Sequence, residues 1–180
     1  MILPGLAEDQ KERAKRVRLV IVDNDGVMTD GRIVLGDHGD ELKFFDVQDG
    51  FGLVLLDRAG YKTVMISGKR SRVNKRRAKE VKFSAMYENA FDKLQVFEKV
   101  LKKFKRKPEE VCYIGDDLID LPPMRRCGFA VAVANALPEV KQIANYTTER
   151  AGGRGAVREV VDLLLKTQGQ WAEVTQRYFR

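Results

Sequence analysis

Short runs of apolar, β-branched residues alternate along this chain with longer stretches whose apolar positions recur every three or four residues. The first run, Val17–Val22, ends abruptly in Asp-Asn-Asp-Gly, as a strand does when it stops at a turn. Thr63–Ile66, Val111–Ile114, Phe129–Val133 and the weaker Tyr146–Thr148 read as further strands, with one more short strand between Ser67 and Lys93. The helical period predicts helices near Phe51–Ala59, Ser71–Lys79, Phe91–Phe104, Leu118–Arg126, Pro138–Ala144 and Ala156–Thr167. Gly60 and Pro108 stand where helices should end ahead of strands. The alternation predicts an α/β fold: a doubly wound, mostly parallel sheet covered on both faces.

One segment breaks the rhythm. Arg32–Leu35 and Glu41–Phe45, joined by Gly36–Asp40, read as a β-hairpin where an α/β unit would begin its helix. Ile33, Leu35, Leu42 and Phe44 alternate onto one apolar face of this flap, which is too large to leave bare on an isolated ribbon. Residues 168–180 form a tail in which periodicity fades around Gly169, with Trp171, Val174 and Tyr178 available for a short docking helix. No linker divides the 180 residues, so a single domain is expected over 1–180.

Composition narrows the function. The net charge of +7 comes mainly from Lys11–Arg18, Lys69–Lys82 and Lys99–Lys107. In these stretches basic residues alternate with apolar ones, the pattern of solvated helix faces. No RNA-binding aromatic signature or zinc-finger spacing accompanies them, so a nucleic-acid partner is not expected; the field suits an anionic substrate. No apolar run could span a bilayer, and the N-terminus has its charges in the reverse order of a secretory signal. Cys112 and Cys127 alone make neither a disulfide scaffold nor a thiolate metal site, which favours the cytoplasm.

The chemistry gathers on Asp23, Asp25, Ser67, Lys93, Asp116, Asp117 and Asp120. These follow predicted strands or begin helices, and in an open α/β sheet that edge is where ligands bind. On an extended chain Asp23 and Asp25 would face one way and Asn24 the other. Gly26 would let backbone N–H groups approach an anion. Carboxylates crowded into one small site require a cation, and oxygen ligands without His or Cys favour Mg²⁺. A carboxylate is then the available nucleophile toward phosphorus, with a second one as general acid and base. Ser67 would donate to phosphoryl oxygens and Lys93 would add positive charge.

Each feature alone is also ordinary turn or cap chemistry; four of them in order on successive strand ends are not. His38, the only histidine, falls in the predicted hairpin turn, which excludes a Ser-His-Asp or Cys-His machine. No Gly-x-x-x-x-Gly-Lys-Ser/Thr loop is present, which argues against a nucleoside triphosphatase.

These residues resemble the haloacid dehalogenase superfamily: Asp23–Val27 its first motif, Ser67 its second, Lys93 its third, and Gly115–Asp117 with Asp120 its fourth. The longer phrases Asp23–Gly31, Gly39–Asp49, Ile66–Lys69, Gly115–Asp120 and Ala151–Glu159 resemble, more narrowly, the family of 3-deoxy-D-manno-octulosonate 8-phosphate phosphatases. The resemblance implies a Rossmann-like core, Asp23 as nucleophile and Asp25 as general acid and base. It implies Mg²⁺ on the Asp23 carboxylate, the Asp25 main-chain carbonyl and the Asp116 carboxylate. Ser67 and Lys93 would grip phosphate, and Asp117 or Asp120 would orient the metal's surroundings. Two positions depart from the pattern: Asn24 is polar where an apolar residue is usual, and Lys69 precedes Arg70 where Gly-Arg is expected. A lysine lacks the planar guanidinium fork, which bears on the choice of sugar. Lys69, Arg70 and Arg154 are the candidates for the sugar acid.

The intervals Asp23–Ser67 and Ser67–Lys93 leave no room for a cap domain of roughly 50 residues. The resemblance implies a homotetramer in which flap hairpins cover neighbouring sites. A related nine-carbon sugar acid 9-phosphate is the alternative substrate. A phospho-accepting signalling domain would carry its Asp on the third strand, and an inactive binding module would not keep all four motifs.

Overall fold

The structure is a computed structural model and describes residues 5–180; the first four residues of the N-terminal segment lie outside them. Its centre is a six-stranded parallel sheet built from β1 (Leu19–Asp23), β4 (Lys62–Ile66), β5 (Ala85–Tyr87), β6 (Val111–Gly115), β7 (Phe129–Ala132) and β8 (Tyr146–Thr147). The spatial order β5-β4-β1-β6-β7-β8 puts β1 between two parallel neighbours, with Ile21 opposite both Val64 and Tyr113. The chain moves outward from β1 in both directions, so the crevice at the carboxyl ends of β1, β4 and β6 is the topological switch point. Every residue of β1 and β6 is buried, as a strand covered on both faces must be.

The expected helices form as α2 (Val47–Arg58), α3 (Arg72–Glu80), α4 (Lys93–Phe104), α5 (Leu121–Arg126), α6 (Pro138–Ile143) and α7 (Ala156–Thr167), preceded by α1 (Glu8–Arg16). Leu118–Asp120, expected as the first turn of α5, is a tighter 3₁₀ turn. Gly60, at φ +84°, lets α2 end and the chain reverse into β4. Helices α2 and α7 pack together, and α4 packs on α5. Gly52 makes the first of these contacts close, since a Cβ there would meet Val161 and Arg158 of α7. Along α3 and the last turn of α4 the basic residues face outward, Arg77 only in part, while Ala78, Val81 just beyond α3, Val100 and Leu101 are buried, the solvated faces expected from the sequence; Lys93 at the start of α4 is the buried exception. No helix of the described residues is long and apolar enough to cross a membrane.

The hairpin is shorter than expected. Only β2 (Val34–Leu35) and β3 (Glu41–Leu42) pair, with a further bridge between Thr29 and Phe45 at its base. His38 lies exposed in its turn. The four apolar residues do not share one face: Leu42 pairs with Val34 and Leu35 with Glu41, so Leu35 lies on the face opposite Leu42 and Phe44. Nor do they fold back on their own domain, since Leu35 is 76% exposed, Leu42 62% and Phe44 57%. The tail forms α8 (Trp171–Thr175) and docks on the same chain, burying Val174 and setting Tyr178 edge-on to Phe51 at 5.5 Å between ring centres.

Candidate active site

Asp23 is the last residue of β1, so its side chain emerges at the carboxyl edge of the sheet while remaining buried. The chain then leaves strand geometry in a wide turn closed by Thr29 N–H on the Asn24 carbonyl at 3.1 Å. The extended alternation expected through Asp25 therefore stops at Asp23. Asn24 does not point away; its Nδ2 donates to Asp25 Oδ1 at 3.0 Å. Gly26, at φ +100°, completes the turn, and a Cβ there would lie 2.0 Å from Asp116 Oδ2. Glycine is required at this position on both counts.

Lys93, the first residue of α4, is buried and places Nζ 2.6 Å from Asp23 Oδ1 and 2.6 Å from Asp120 Oδ1. Asp120 is saturated: Oδ1 also accepts from Tyr113 Oη at 2.8 Å, and Oδ2 accepts from the backbone N–H groups of Asp116 and Asp117 at 3.1 and 3.3 Å. Asp117 turns away to cap the following turn, accepting from Leu118 N–H at 2.6 Å. The cap chemistry and the site chemistry of Gly115–Asp120 thus fall on different residues. Ser67 directly follows β4 and is buried, and its Oγ accepts from Lys69 N–H at 3.3 Å. The cap of α3 is Ser71, which leaves Ser67 to the site.

Asp23, Asp116 and Asp120 bring carboxylate oxygens within 4.8 Å of one another. Three carboxylates around one ammonium leave two negative charges uncompensated. Burial and the Asp120 charge push Asp23 well above the usual carboxylate range, only partly offset by Lys93. Burial and Asp120 likewise push Asp116 up to about 7. Burial opposes the charge on Lys93, but Asp23 and Asp120 outweigh it and raise its pKa. Buried Asp116 Oδ1 has no hydrogen-bond partner among the described residues. An orphaned acceptor, a two-charge deficit and an all-oxygen donor set fit a hard divalent cation such as Mg²⁺.

The candidates for the sugar acid lie at the rim. Lys69 and Arg70 are exposed. Arg154 is 67% exposed, with its guanidinium 4.0 Å from Asp30 Oδ2. A Cβ on Gly152 would lie 1.8 Å from the Gly26 carbonyl oxygen, and one on Gly153 would lie 2.4 Å from Asp30 N, so this loop is wedged onto the first motif. Asn135 ties the same two segments, donating to the Gly26 carbonyl at 3.0 Å and accepting from Gly152 N–H at 2.6 Å.

Sequence reasoning missed Asn135, Tyr113 and Lys43. Lys43 extends from the flap to Asp25 Oδ1 at 2.6 Å. Part of its signal was available, since alternation along the strand turns it away from Leu42 and Phe44, onto the face that Glu41 and its partner Leu35 share.

Comparison with known proteins agrees with this geometry. A model of haloacid dehalogenase-like hydrolases matches residues 66–160. The 3-deoxy-D-manno-octulosonate 8-phosphate phosphatase of Yersinia pestis is 44% identical over 163 residues, 91% of this chain and 87% of that protein. Its crystal structure superposes with a TM-score of 0.91 at 43% identity, covering 93% of this chain and 91% of that one. The Moraxella catarrhalis phosphatase of the same name, solved with magnesium, phosphate and KDO, superposes with a TM-score of 0.92 at 36% identity, covering 94% and 98%. With its parallel sheet, its acidic switch-point crevice and this near full-length similarity, the chain belongs to the haloacid dehalogenase-like hydrolases, among the relatives of the 3-deoxy-D-manno-octulosonate 8-phosphate phosphatases.

Proposed function

We propose that this chain is a Mg²⁺-dependent phosphatase that hydrolyses 3-deoxy-D-manno-octulosonate 8-phosphate to the free sugar acid and phosphate. The observation that carries the reading is the buried Asp23–Lys93 pair at 2.6 Å beside Asp116, in a chain 44% identical to a phosphatase named for that substrate. Nothing observed favours the nine-carbon alternative.

In this mechanism the Asp23 carboxylate attacks phosphorus, and the bond from phosphorus to the sugar oxygen breaks. Asp25 gives its proton to that leaving oxygen. Asp25 then takes a proton from water, whose oxygen displaces Asp23 from phosphorus and restores the carboxylate. Ser67, Lys93 and the backbone N–H groups around Gly26 hold the phosphoryl oxygens. The Asp23 and Asp116 carboxylates and the Asp25 main-chain carbonyl would hold Mg²⁺, which supplies positive charge against that of the phosphate. Asp120 fixes Lys93 and the backbone ahead of Asp116, so of the two second carboxylates it is the one that orients the metal loop. Lys69, Arg70 and Arg154 face the sugar acid. The whole chain acts as one phosphatase domain, in the cytoplasm and as a homotetramer, the exposed flap supporting the last.

Phosphate release from this sugar acid phosphate tests the reading. Activity should require Mg²⁺, vanish in excess chelator and fall to background in Asp23→Asn. Full activity in either case would overturn it.

A further inference from the structure

The flap exposes most of its side chains, yet the Lys43 side chain is fully buried, at 0% exposure. Burying an ammonium is costly unless each of its donors is satisfied. Here Nζ donates to Asp25 Oδ1 at 2.6 Å and Asn74 Oδ1 at 3.1 Å, and is ion-paired with Glu41 Oε1 at 3.2 Å. The surrounding groups are themselves fixed. Asn74 is fully buried on α3, its N–H bonded to the Ser71 cap at 3.1 Å. The second oxygen of Glu41 accepts from Ser71 Oγ. The ladder of the flap is only two residue pairs long, so it does not by itself hold Lys43 in place. The polar contacts beneath the flap do.

The consequence falls on Asp25. Its Oδ1 receives two donors, Lys43 Nζ at 2.6 Å and Asn24 Nδ2 at 3.0 Å. With that oxygen occupied, Oδ2 is the one that carries a proton toward a leaving group. We propose that Lys43 is a positioning residue for the acid step: the flap uses it to hold Asp25 in one orientation, with Oδ2 presented to the leaving oxygen. Flap seating and competence for leaving-group protonation are then one event. The inference rests on the phosphatase reading and extends it to a residue that never touches the phosphorus.

Leaving groups separate this role from a structural one. A sugar alkoxide leaves poorly and needs the proton; p-nitrophenolate leaves well and hardly needs it. For both substrates kcat/KM reports phosphoryl transfer to Asp23. Lys43→Met fills the slot without charge. It should reduce kcat/KM roughly 10–100-fold on the sugar acid phosphate, a fraction of what a general acid supplies, and by less than about threefold on p-nitrophenyl phosphate. Lys43→Arg, which keeps a charged donor, should recover part of that selectivity. Equal losses on the two substrates, or no loss on either, would overturn the proposal. So would failure of both variants to fold, which would make Lys43 a structural anchor. Wild-type hydrolysis of the two substrates tests the functional reading separately; the ratio of the variant's losses tests Lys43.

Discussion

Tyr113 Oη lies 2.8 Å from Asp120 Oδ1, the same oxygen that holds Lys93 Nζ at 2.6 Å. The sheet core and the catalytic edge therefore meet at one atom. Tyr113 is buried in the middle of β6, and both burial and Asp120 hold its phenol protonated, able only to donate to this carboxylate. Tyr113→Phe removes a donor from a buried charge, a loss of about 1.5–3 kcal/mol. Urea unfolding should show a loss of that size; an unchanged midpoint would mean that Asp120 finds another donor.

Gly26 and Gly31 offer a paired test of the metal cradle. Both have positive φ, +100° and +82°, so alanine strains the backbone at either. Only at Gly26 does the new Cβ meet Asp116 Oδ2, at 2.0 Å; at Gly31 the nearest atom is 3.6 Å away. Gly26→Ala should weaken Mg²⁺ binding by calorimetry at least tenfold more than Gly31→Ala. Equal affinities in the two variants would remove Asp116 from the ligand set.

Asp49 predicts a pH dependence of stability. It is fully buried at the start of α2, accepting from Arg158 N–H at 2.7 Å and Gly155 N–H at 3.3 Å, and burial raises its pKa to about 6 despite those bonds. The folded state then binds the proton more tightly than the unfolded chain does. Its contribution is fully present below the unfolded carboxyl range near pH 4 and is lost as pH rises through about 6. By the conversion of pKa shift to free energy the change is about 2–3 kcal/mol. Thermal unfolding at pH 4 and pH 7 should show the wild type losing stability relative to Asp49→Asn across that interval; parallel curves would refute this assignment.

The sheet and its helices were legible because buried parallel strands are apolar throughout and their helices keep a clean period. The carboxyl-edge residues were legible for the same reason, since a strand end fixes where Asp23, Ser67 and Asp116 must be. Asn24 was misplaced because strand alternation was carried one residue too far, into a turn whose shape Gly26 decides. Alternation could turn Lys43 away from Leu42 and Phe44, but what Lys43 and Tyr113 bind was invisible for another reason. Their partners, Asp25 and Asp120, meet them only through tertiary contacts, and a lysine in a hairpin or a tyrosine in a strand reads as solvated or as core.

Arg154 should act on the sugar acid rather than on the phosphate. Its loop is wedged on the first motif by Gly152 and Gly153, yet its guanidinium stays exposed with only a 4.0 Å contact to Asp30. A guanidinium so placed can take a carboxylate bidentately. Arg154→Ala should cost about tenfold in kcat/KM on the sugar acid phosphate, the size of one charged hydrogen bond at 1.5 kcal/mol or so, and little on p-nitrophenyl phosphate. Equal losses would show that Arg154 does not discriminate.

The flap makes the last prediction. Leu35, Leu42 and Phe44 expose their side chains to 76%, 62% and 57%, and neighbouring Val47 is 81% exposed. Burying each would be worth roughly 1.5–3 kcal/mol, which a second copy of the chain can supply and its own domain does not. The site also needs a cover, because Asp23–Ser67 and Ser67–Lys93 hold only the hairpin, α2, β4, α3 and β5. Water left over an open site weakens every charge interaction within it. Light scattering should therefore find a tetramer at micromolar concentration. Deleting the tip Gly36–Asp40 should lower sugar-phosphate turnover while Mg²⁺ binding persists, since the tip is remote in sequence from Asp116 and contributes no metal ligand. A monomer that retains full turnover would rule out a site shared between subunits. A tetramer unaffected by the deletion would leave the assembly standing and assign the cover to another segment.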